Sequence, residues 1–491
     1  MRTISHFVDG QSLSRPGART SDVFDPTTGE VQGIVEHGDS DLVAEAVGIA
    51  KAAQPAWAVV PPQRRAQVMF RYKQIIEEHM DELIHLLTSE HGKLLSDSAG
   101  EMRRGLDVVE FVCGTPHLQK GEFTEGAGPG TNVFSMRQPL GVVAGVSPFN
   151  FSAMIPLWMM APAVASGNAI IMKPSQHDPS VSTRLAELAI VAGVPKGIFN
   201  IVHGGKETVE ALADHPDIKA ISLVGSTAVA KSVYGRGAAN GKRMQAMGGA
   251  KNHGIILPDA DLDQVVADVL SLAYGSAGER CMALPVIVPV GKETADAVRE
   301  RLVEGIAKIR VGPGTAEGVH MGPVINAEHK ARVERYIQMA IDEGAEVVVD
   351  GRGRTLEGHE NGFFLWPTLI DHATPAMQSY QDEIFGPVLQ IVRAETLDEA
   401  IGYPSNHHQG NGVAIFTRDG EAAQRFASEV EVGMVGINVP SPVPVSYHSF
   451  GGWKNSAFGD LNQYGLDSIR FFTRTKTITQ RWPHGFTTTS K

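Results

Sequence analysis

Cys281 stands in the run Gly278-Glu279-Arg280-Cys281-Met282-Ala283, and the 491-residue chain has one other cysteine, Cys113. A thiolate is a strong nucleophile, and a cation such as Arg280 beside it either favours the thiolate or holds an anionic substrate next to it. Glycines at 275 and 278 let the backbone come close to a bound molecule. Taken alone, a free cysteine is more often an ordinary packed thiol, and Cys113, at the end of Val108-Val109-Glu110-Phe111-Val112-Cys113, reads that way. Four further groups could serve the first one. Pro148-Phe149-Asn150-Phe151 follows an apolar run and offers an amide that can donate to a developing oxyanion. Gly225-Ser226-Thr227 lies between Ile221-Ser222-Leu223-Val224 and a helical stretch from Ala228, where backbone N–H groups can face a pyrophosphate. The full G-x-G-x-x-G fingerprint is absent there. Lys173-Pro174-Ser175 ends another apolar run, from which Lys173 could bond a ribose hydroxyl. In Glu383-Ile384-Phe385 a carboxylate and an aromatic share one side of an extended run, as gripping a sugar and bracing an aromatic ring require. Singly, each group also fits a plainer role as a turn, a solvated strand exit or an acidic loop.

The elements that must position these residues alternate. Short apolar runs at 142–146, 169–172, 198–202 and 220–224 are separated by helical patterns such as 179–192 and 206–214, which implies βαβ units and a mostly parallel sheet. A second α/β region spans about 256–440, with helices expected at 262–276, 293–308 and 328–343 and apolar runs at 284–290 and 345–349. Before them, Ser40 and Asp41 read as the start of one helix, and Pro61-Pro62 as the first turn of a longer one ending at His91-Gly92. Residues 1–10 read as a first strand and turn. The threonine-rich stretch 471–479 reads as a C-terminal strand after a glycine-rich loop at 451–465, and such a strand needs a partner edge, from this subunit or another.

Composition narrows the class. A formal net charge of −12 from 43 basic and 55 acidic residues argues against a general nucleic-acid binder, but leaves room for a local cluster of donors around an anionic cofactor. Two cysteines make neither a disulfide framework nor a zinc site, and no metal is expected. No apolar run reaches the ~18 residues of a membrane span, and the most apolar stretch, 153–166, is interrupted by Pro156 and Pro162. The expectation is a cytoplasmic protein with no membrane partner.

The order of these motifs, PFNF at 148, KPS at 173, VGST at 224, GERC at 278 and EIFGPV at 383, resembles the aldehyde dehydrogenase superfamily over essentially the whole chain. The resemblance implies an α/β fold: a Rossmann-type NAD-binding domain (1–120 and 141–253), a catalytic α/β domain (254–455) and a small β oligomerisation region (121–140 and 456–491). It implies Cys281 as nucleophile, with Asn150 and the Cys281 N–H as oxyanion hole. NAD would be held by Phe149, Lys173, Gln176, Gly225, Ser226, Glu383 and Phe385. Members that hydrolyse their acyl-enzyme carry a glutamate base in an E-L-G-G-K run; here the run is Met247-Gly248-Gly249-Ala250-Lys251, and methionine accepts no proton. That departure, with Gly249-Ala250-Lys251-Asn252-His253-Gly254 and Arg280-Cys281-Met282-Ala283-Leu284, is similar to the CoA-acylating methylmalonate-semialdehyde dehydrogenases. This closer resemblance implies coenzyme A as acceptor, a β-carboxy aldehyde as substrate, and Arg104 and Arg280 as its carboxylate ligands. It also implies a homodimer or homotetramer. Two stretches depart from the pattern: Gln176 stands where NAD-specific members commonly have glutamate, and 445–450 matches only loosely. The competing expectations are a hydrolytic NAD(P)-dependent enzyme using another base, a non-catalytic binding protein on the same fold, and a cysteine hydrolase, for which no histidine has a recognised relation to Cys281.

Overall fold

The computed structural model describes residues 2–482. Strands with apolar residues at every position are buried on both faces, the condition of a parallel sheet covered by helices. Val142–Val146 meets it, as does Ala169–Lys173 up to its terminal lysine, and both are buried throughout. They sit at the centre of an eight-stranded sheet. On one side follow Ile218–Val224 and Arg243–Met247, on the other Phe199–Ile201, all parallel. His6–Val8 and Gln11–Leu13 extend one edge, and Ala457–Phe458 closes the other antiparallel to Met247 and Ala246. Residues 148–150, 173–176, 225–226 and 248–249 thus all leave the carboxyl ends of parallel strands, the edge at which open α/β sheets bind ligands.

A second, seven-stranded sheet runs Glu346–Val349, Thr368–Asp371, Val388–Ile391, Val286–Pro289, His253–Ile256, Gly412–Phe416, Met434–Ile437. Only its first strand is antiparallel. Cys281 lies between the helix Leu262–Tyr274 and the strand Val286–Pro289, and Glu383–Phe385 leads into Val388–Ile391. The third sheet is small: Thr473–Arg481 pairs antiparallel with Thr131–Pro139 over nine residue pairs, and Phe123–Gly128 flanks it.

Several elements differ from the sequence expectation. The helix at 40 is capped one residue earlier, by Asp39, whose side chain accepts from the Leu42 N–H at 2.9 Å. The long helix after Pro61 is two helices, Pro62–Glu78 and Met80–His91. At the break, the His79 N–H is shared between the Ile75 and Ile76 carbonyls at 3.2 and 3.1 Å, and its Nδ1 lies 2.8 Å from the Ile75 carbonyl. The N-terminal stretch makes two strands in different sheets, since Arg2–Ile4 runs parallel to Gly33–Val35 while His6–Val8 joins the large sheet. Residues 153–166 form a continuous helix, Met154–Ala165, buried at every position despite Pro162. No helix among the described residues is long and apolar enough to cross a membrane. The tail first forms a helix, Gly465–Phe471, and only then the strand from Thr473. Cys113 ends the helix Leu95–Cys113, packed and bonded to the Val109 carbonyl at 3.3 Å.

Candidate active site

The backbone before Cys281 is bent into an unusual shape. After Tyr274 ends its helix, Ser276 (φ 49°), Ala277 (φ 52°) and Gly278 (φ 73°) are left-handed in succession. For non-glycine residues this costs about 1–2 kcal/mol each, so the surroundings must enforce it. At Gly278 the reason is visible: a Cβ there would lie 2.1 Å from the carbonyl oxygen of Gly386, so the two motifs touch backbone to backbone. Downstream, the Cys281 carbonyl accepts from Asn252 Nδ2 at 2.9 Å and Asn411 Nδ2 at 3.1 Å. Asn252 in turn accepts from the Gly412 N–H at 2.9 Å. The main chain around Cys281 is therefore clamped on both sides.

Cys281 is half-buried and lines two cavities, one of about 940 Å³ and one of about 270 Å³, and is the one residue common to both linings. The larger brings together Phe149, Asn150, Lys173, Gln176, Gly225, Ser226, Glu383 and Phe385. The smaller brings Arg104 and Arg280 beside Cys281, with Phe151, Trp158 and Phe450 as apolar wall. Every side chain singled out in the sequence as a site residue thus opens onto one of these spaces.

Each position has a local cause. Asn150 is 4% exposed, and its carbonyl accepts from Lys93 Nζ at 2.7 Å. Lys93 is paired at 2.6 Å with Glu101, whose other oxygen accepts from Ala153 and Met154 N–H at 2.7 and 3.0 Å. That carboxylate sits at the N-terminus of the helix Met154–Ala165, where negative charge is favoured. Breaking such a buried pair from one side costs about 3–5 kcal/mol. Ser226 precedes the helix Thr227–Ala239 without capping it by its side chain, leaving first-turn N–H groups free for an anion. A Cβ at Gly225 would come no closer than 3.7 Å to the protein, so the space beside it is open to a ligand. Glu383 accepts from the Ala250 N–H at 2.9 Å, and its own main chain is held by Arg332, which donates to the carbonyls of Glu383 (2.7 Å) and Ile384 (2.6 Å). Phe385 is left-handed (φ 62°) and meets Phe149 edge to face at 5.8 Å. The His329 ring nitrogen lies 2.6 Å from the Phe385 carbonyl and so carries the proton.

Burial dominates the electrostatics. It pushes the Cys281 thiol up to about 12, and the Glu383 carboxylate adds to the rise, against smaller opposing effects of the Cys281 and Met282 N–H groups and Arg280. Glu383 itself is raised by burial to about 7, with the Ala250 bond and Lys251 opposing. Burial lowers Lys173 to about 8 and Lys251 to about 7. Lys251 donates to the carbonyls of Ser379 and Asp382 at 2.9 and 2.8 Å, just ahead of Glu383. At the position of the expected base, the buried Met247 ends its strand and its carbonyl accepts from Gly225 N–H at 3.0 Å.

The arrangement is a cysteine between a nucleotide-sized cavity and a small cationic one. Residues 14–478 match the family model described as "Aldehyde dehydrogenase family". The chain belongs to the aldehyde dehydrogenase family. Among similar aldehyde dehydrogenases, the malonate-semialdehyde dehydrogenase of Pseudomonas aeruginosa is 52% identical over 98% of this chain and 97% of its own length. The mitochondrial acylating methylmalonate-semialdehyde dehydrogenase of Arabidopsis thaliana is 44% identical over 98% of this chain and 79% of its own. A Sinorhizobium meliloti protein assigned as a methylmalonate-semialdehyde dehydrogenase, crystallised with NAD, superposes with a TM-score of 0.98 at 56% identity, covering 99% of both chains. The α/β architecture expected from the motifs is that of an aldehyde dehydrogenase. Sequence reasoning did not find Asn411, Arg332, His329 or Lys93, which in this aldehyde dehydrogenase hold the main chain of motif residues, nor Glu101, which holds Lys93. Asn252 and Lys251 were within its reach, since both stand in the Gly249–Gly254 run that carried the resemblance.

Proposed function

We propose that the protein oxidises malonate or methylmalonate semialdehyde and transfers the acyl group to coenzyme A, with loss of CO2, giving acetyl-CoA or propionyl-CoA. The observation that carries the reading is Cys281 standing between a cavity lined by Lys173, Glu383 and an uncapped helix N-terminus and one lined by Arg104 and Arg280. The larger cavity fits NAD: Phe149, Lys173, Gln176, Gly225, Ser226, Glu383 and Phe385 would hold it, and once bound it supplies a two-electron hydride acceptor. Arg104 and Arg280 take the substrate carboxylate, since guanidinium groups bind carboxylates in pairs of hydrogen bonds. The Cys281 thiolate adds to the aldehyde carbon, and the Asn150 side chain and Cys281 N–H donate to the oxyanion that forms. Oxidation leaves a thioester on Cys281. Met247 activates no water, so the acyl group passes to a second thiol, an exchange between thioesters of similar energy. A carboxylate β to a thioester loses CO2 because the thioester carbonyl delocalises the electron pair left behind. The same reading makes residues 1–120 with 141–253 the cofactor domain, 254–455 the catalytic domain, and 121–140 with 456–491 the oligomerisation region of a cytoplasmic homodimer or homotetramer. The open three-stranded sheet, whose strand Phe123–Gly128 has no buried residue, supports that last assignment.

A hydrolytic reading has one residue in its favour, Glu383, whose carboxyl is raised to about 7, within range of a general base. The deciding experiment incubates the enzyme with malonate semialdehyde and NAD, with and without coenzyme A. Thioester formation with turnover accelerated at least tenfold by coenzyme A is expected, and a Cys281→Ala variant without activity. Release of free acid at a rate that coenzyme A leaves unchanged overturns the reading.

A further inference from the structure

Arg280 does not face the small cavity as a free cation. Its Nη2 donates to Asp97 Oδ1 at 2.7 Å and its Nε to Ser276 Oγ at 3.1 Å, while Ser276 Oγ donates to Asp97 Oδ2 at 3.2 Å. Its Nη1 has no acceptor among the described residues. The guanidinium packs flat on the chain at Gly275, where a Cβ would lie 2.7 Å from Nη1 and 2.9 Å from Cζ. Asp97 comes from the first turn of the helix Leu95–Cys113, which also carries Glu101 and Arg104. Ser276 is one of the two non-glycine residues in the left-handed turn before Cys281. The triad therefore ties that turn to the cavity wall.

The charges lining the small cavity are Asp97, Glu101, Arg104 and Arg280. Glu101 is neutralised by Lys93 and Asp97 by Arg280. Arg104 has no ion-pair partner among the described residues, and it leaves the cavity one uncompensated positive charge. We propose that Asp97 is the positioning and specificity residue of this cavity: it fixes the Nη1 edge of Arg280 toward the substrate and limits the cavity to one net positive charge, selecting aldehydes with a single carboxylate over those with two. The inference rests on the reading that Arg104 and Arg280 bind the substrate carboxylate.

The test uses two inhibitors of the semialdehyde reaction, propionate with one charge and malonate with two. In the wild-type enzyme propionate is expected to bind at least as tightly as malonate. Asp97→Asn keeps the shape, an acceptor for Nη2 and a donor for Ser276, and removes only the charge. The ratio of inhibition constants, malonate over propionate, is expected to fall about tenfold, as one added unit of charge at this range in a partly solvated site predicts. Ser276→Ala keeps both charges, so the ratio should stay within twofold while the KM for the semialdehyde rises. A merely structural role for Asp97 would move both inhibitors alike. Malonate binding tenfold tighter than propionate in the wild type, or a ratio moved less than twofold by Asp97→Asn, overturns the proposal, and the wild-type comparison stands even if a variant fails to fold. Failure of the underlying reading looks different: neither inhibitor competes with the aldehyde, and Arg104→Gln leaves both constants unchanged.

Discussion

Glu383 shows how one side chain couples the site to pH. Its carboxyl, raised by burial to about 7, is protonated in the empty site on the acid side and charged on the alkaline side. The charged form offers both lone-pair sets to ribose hydroxyls, whereas the protonated form gives up one of them. NAD binding should therefore strengthen as pH rises through 7, with Kd falling about threefold to tenfold between about pH 6 and 8. Titration calorimetry checks this, and Glu383→Gln should flatten the profile at weaker affinity; a wild-type profile as flat as that of the variant would remove Glu383 from the ribose. Cys281 stands at the other extreme. Burial pushes its thiol up to about 12, so alkylation of Cys281 in the absence of ligand should be slow at neutral pH and speed up as pH rises. A fast rate that pH leaves unchanged would show the thiolate already formed.

At the scale of the element, the left-handed turn Ser276–Gly278 sets the path by which the chain enters Cys281. Gly278→Ala should be severe, because the new methyl would occupy the space of the Gly386 carbonyl and the residue is already left-handed. A loss of at least 3 kcal/mol of stability is the expected order for a strained backbone with a displaced neighbour. Melting temperature and Cys281 alkylation should both drop; an unchanged melt would show that the turn relaxes freely. This turn also marks the limit of what the chain discloses before folding. Parallel strands were legible because short apolar runs alternate with helical patterns, and motif residues because they stand at strand ends. Ser276 and Ala277 carry no signal for left-handed geometry, since glycine or asparagine would normally announce it. Asp97, Asn411 and Arg332 act on partners between 51 and 183 positions away, so no local pattern betrays them. The split at His79 was equally silent, because apolar spacing continues across it.

For the whole molecule, the sheet built from Phe123–Gly128, Thr131–Pro139 and Thr473–Arg481 carries the proposal of an oligomer. Thr473–Arg481 and Phe123–Gly128 are both edge strands, and Phe123 is 63% exposed. Ending the chain at Phe472 should convert an oligomer into smaller species in analytical ultracentrifugation; an unchanged sedimentation coefficient would place the subunit contact elsewhere. The two cavities have a different consequence for the molecule. Their linings share only Cys281, and a further link between them is the buried Lys93–Glu101 pair, which ties Glu101 of the smaller to the Asn150 carbonyl of the larger. On the proposed reading, substitutions at Val443 and Phe450, which line only the smaller cavity, should change which aldehydes are accepted while NAD affinity stays within about twofold, as titration calorimetry would show. Such separability makes the fold easy to retune: new substrates need not be bought with lost redox function.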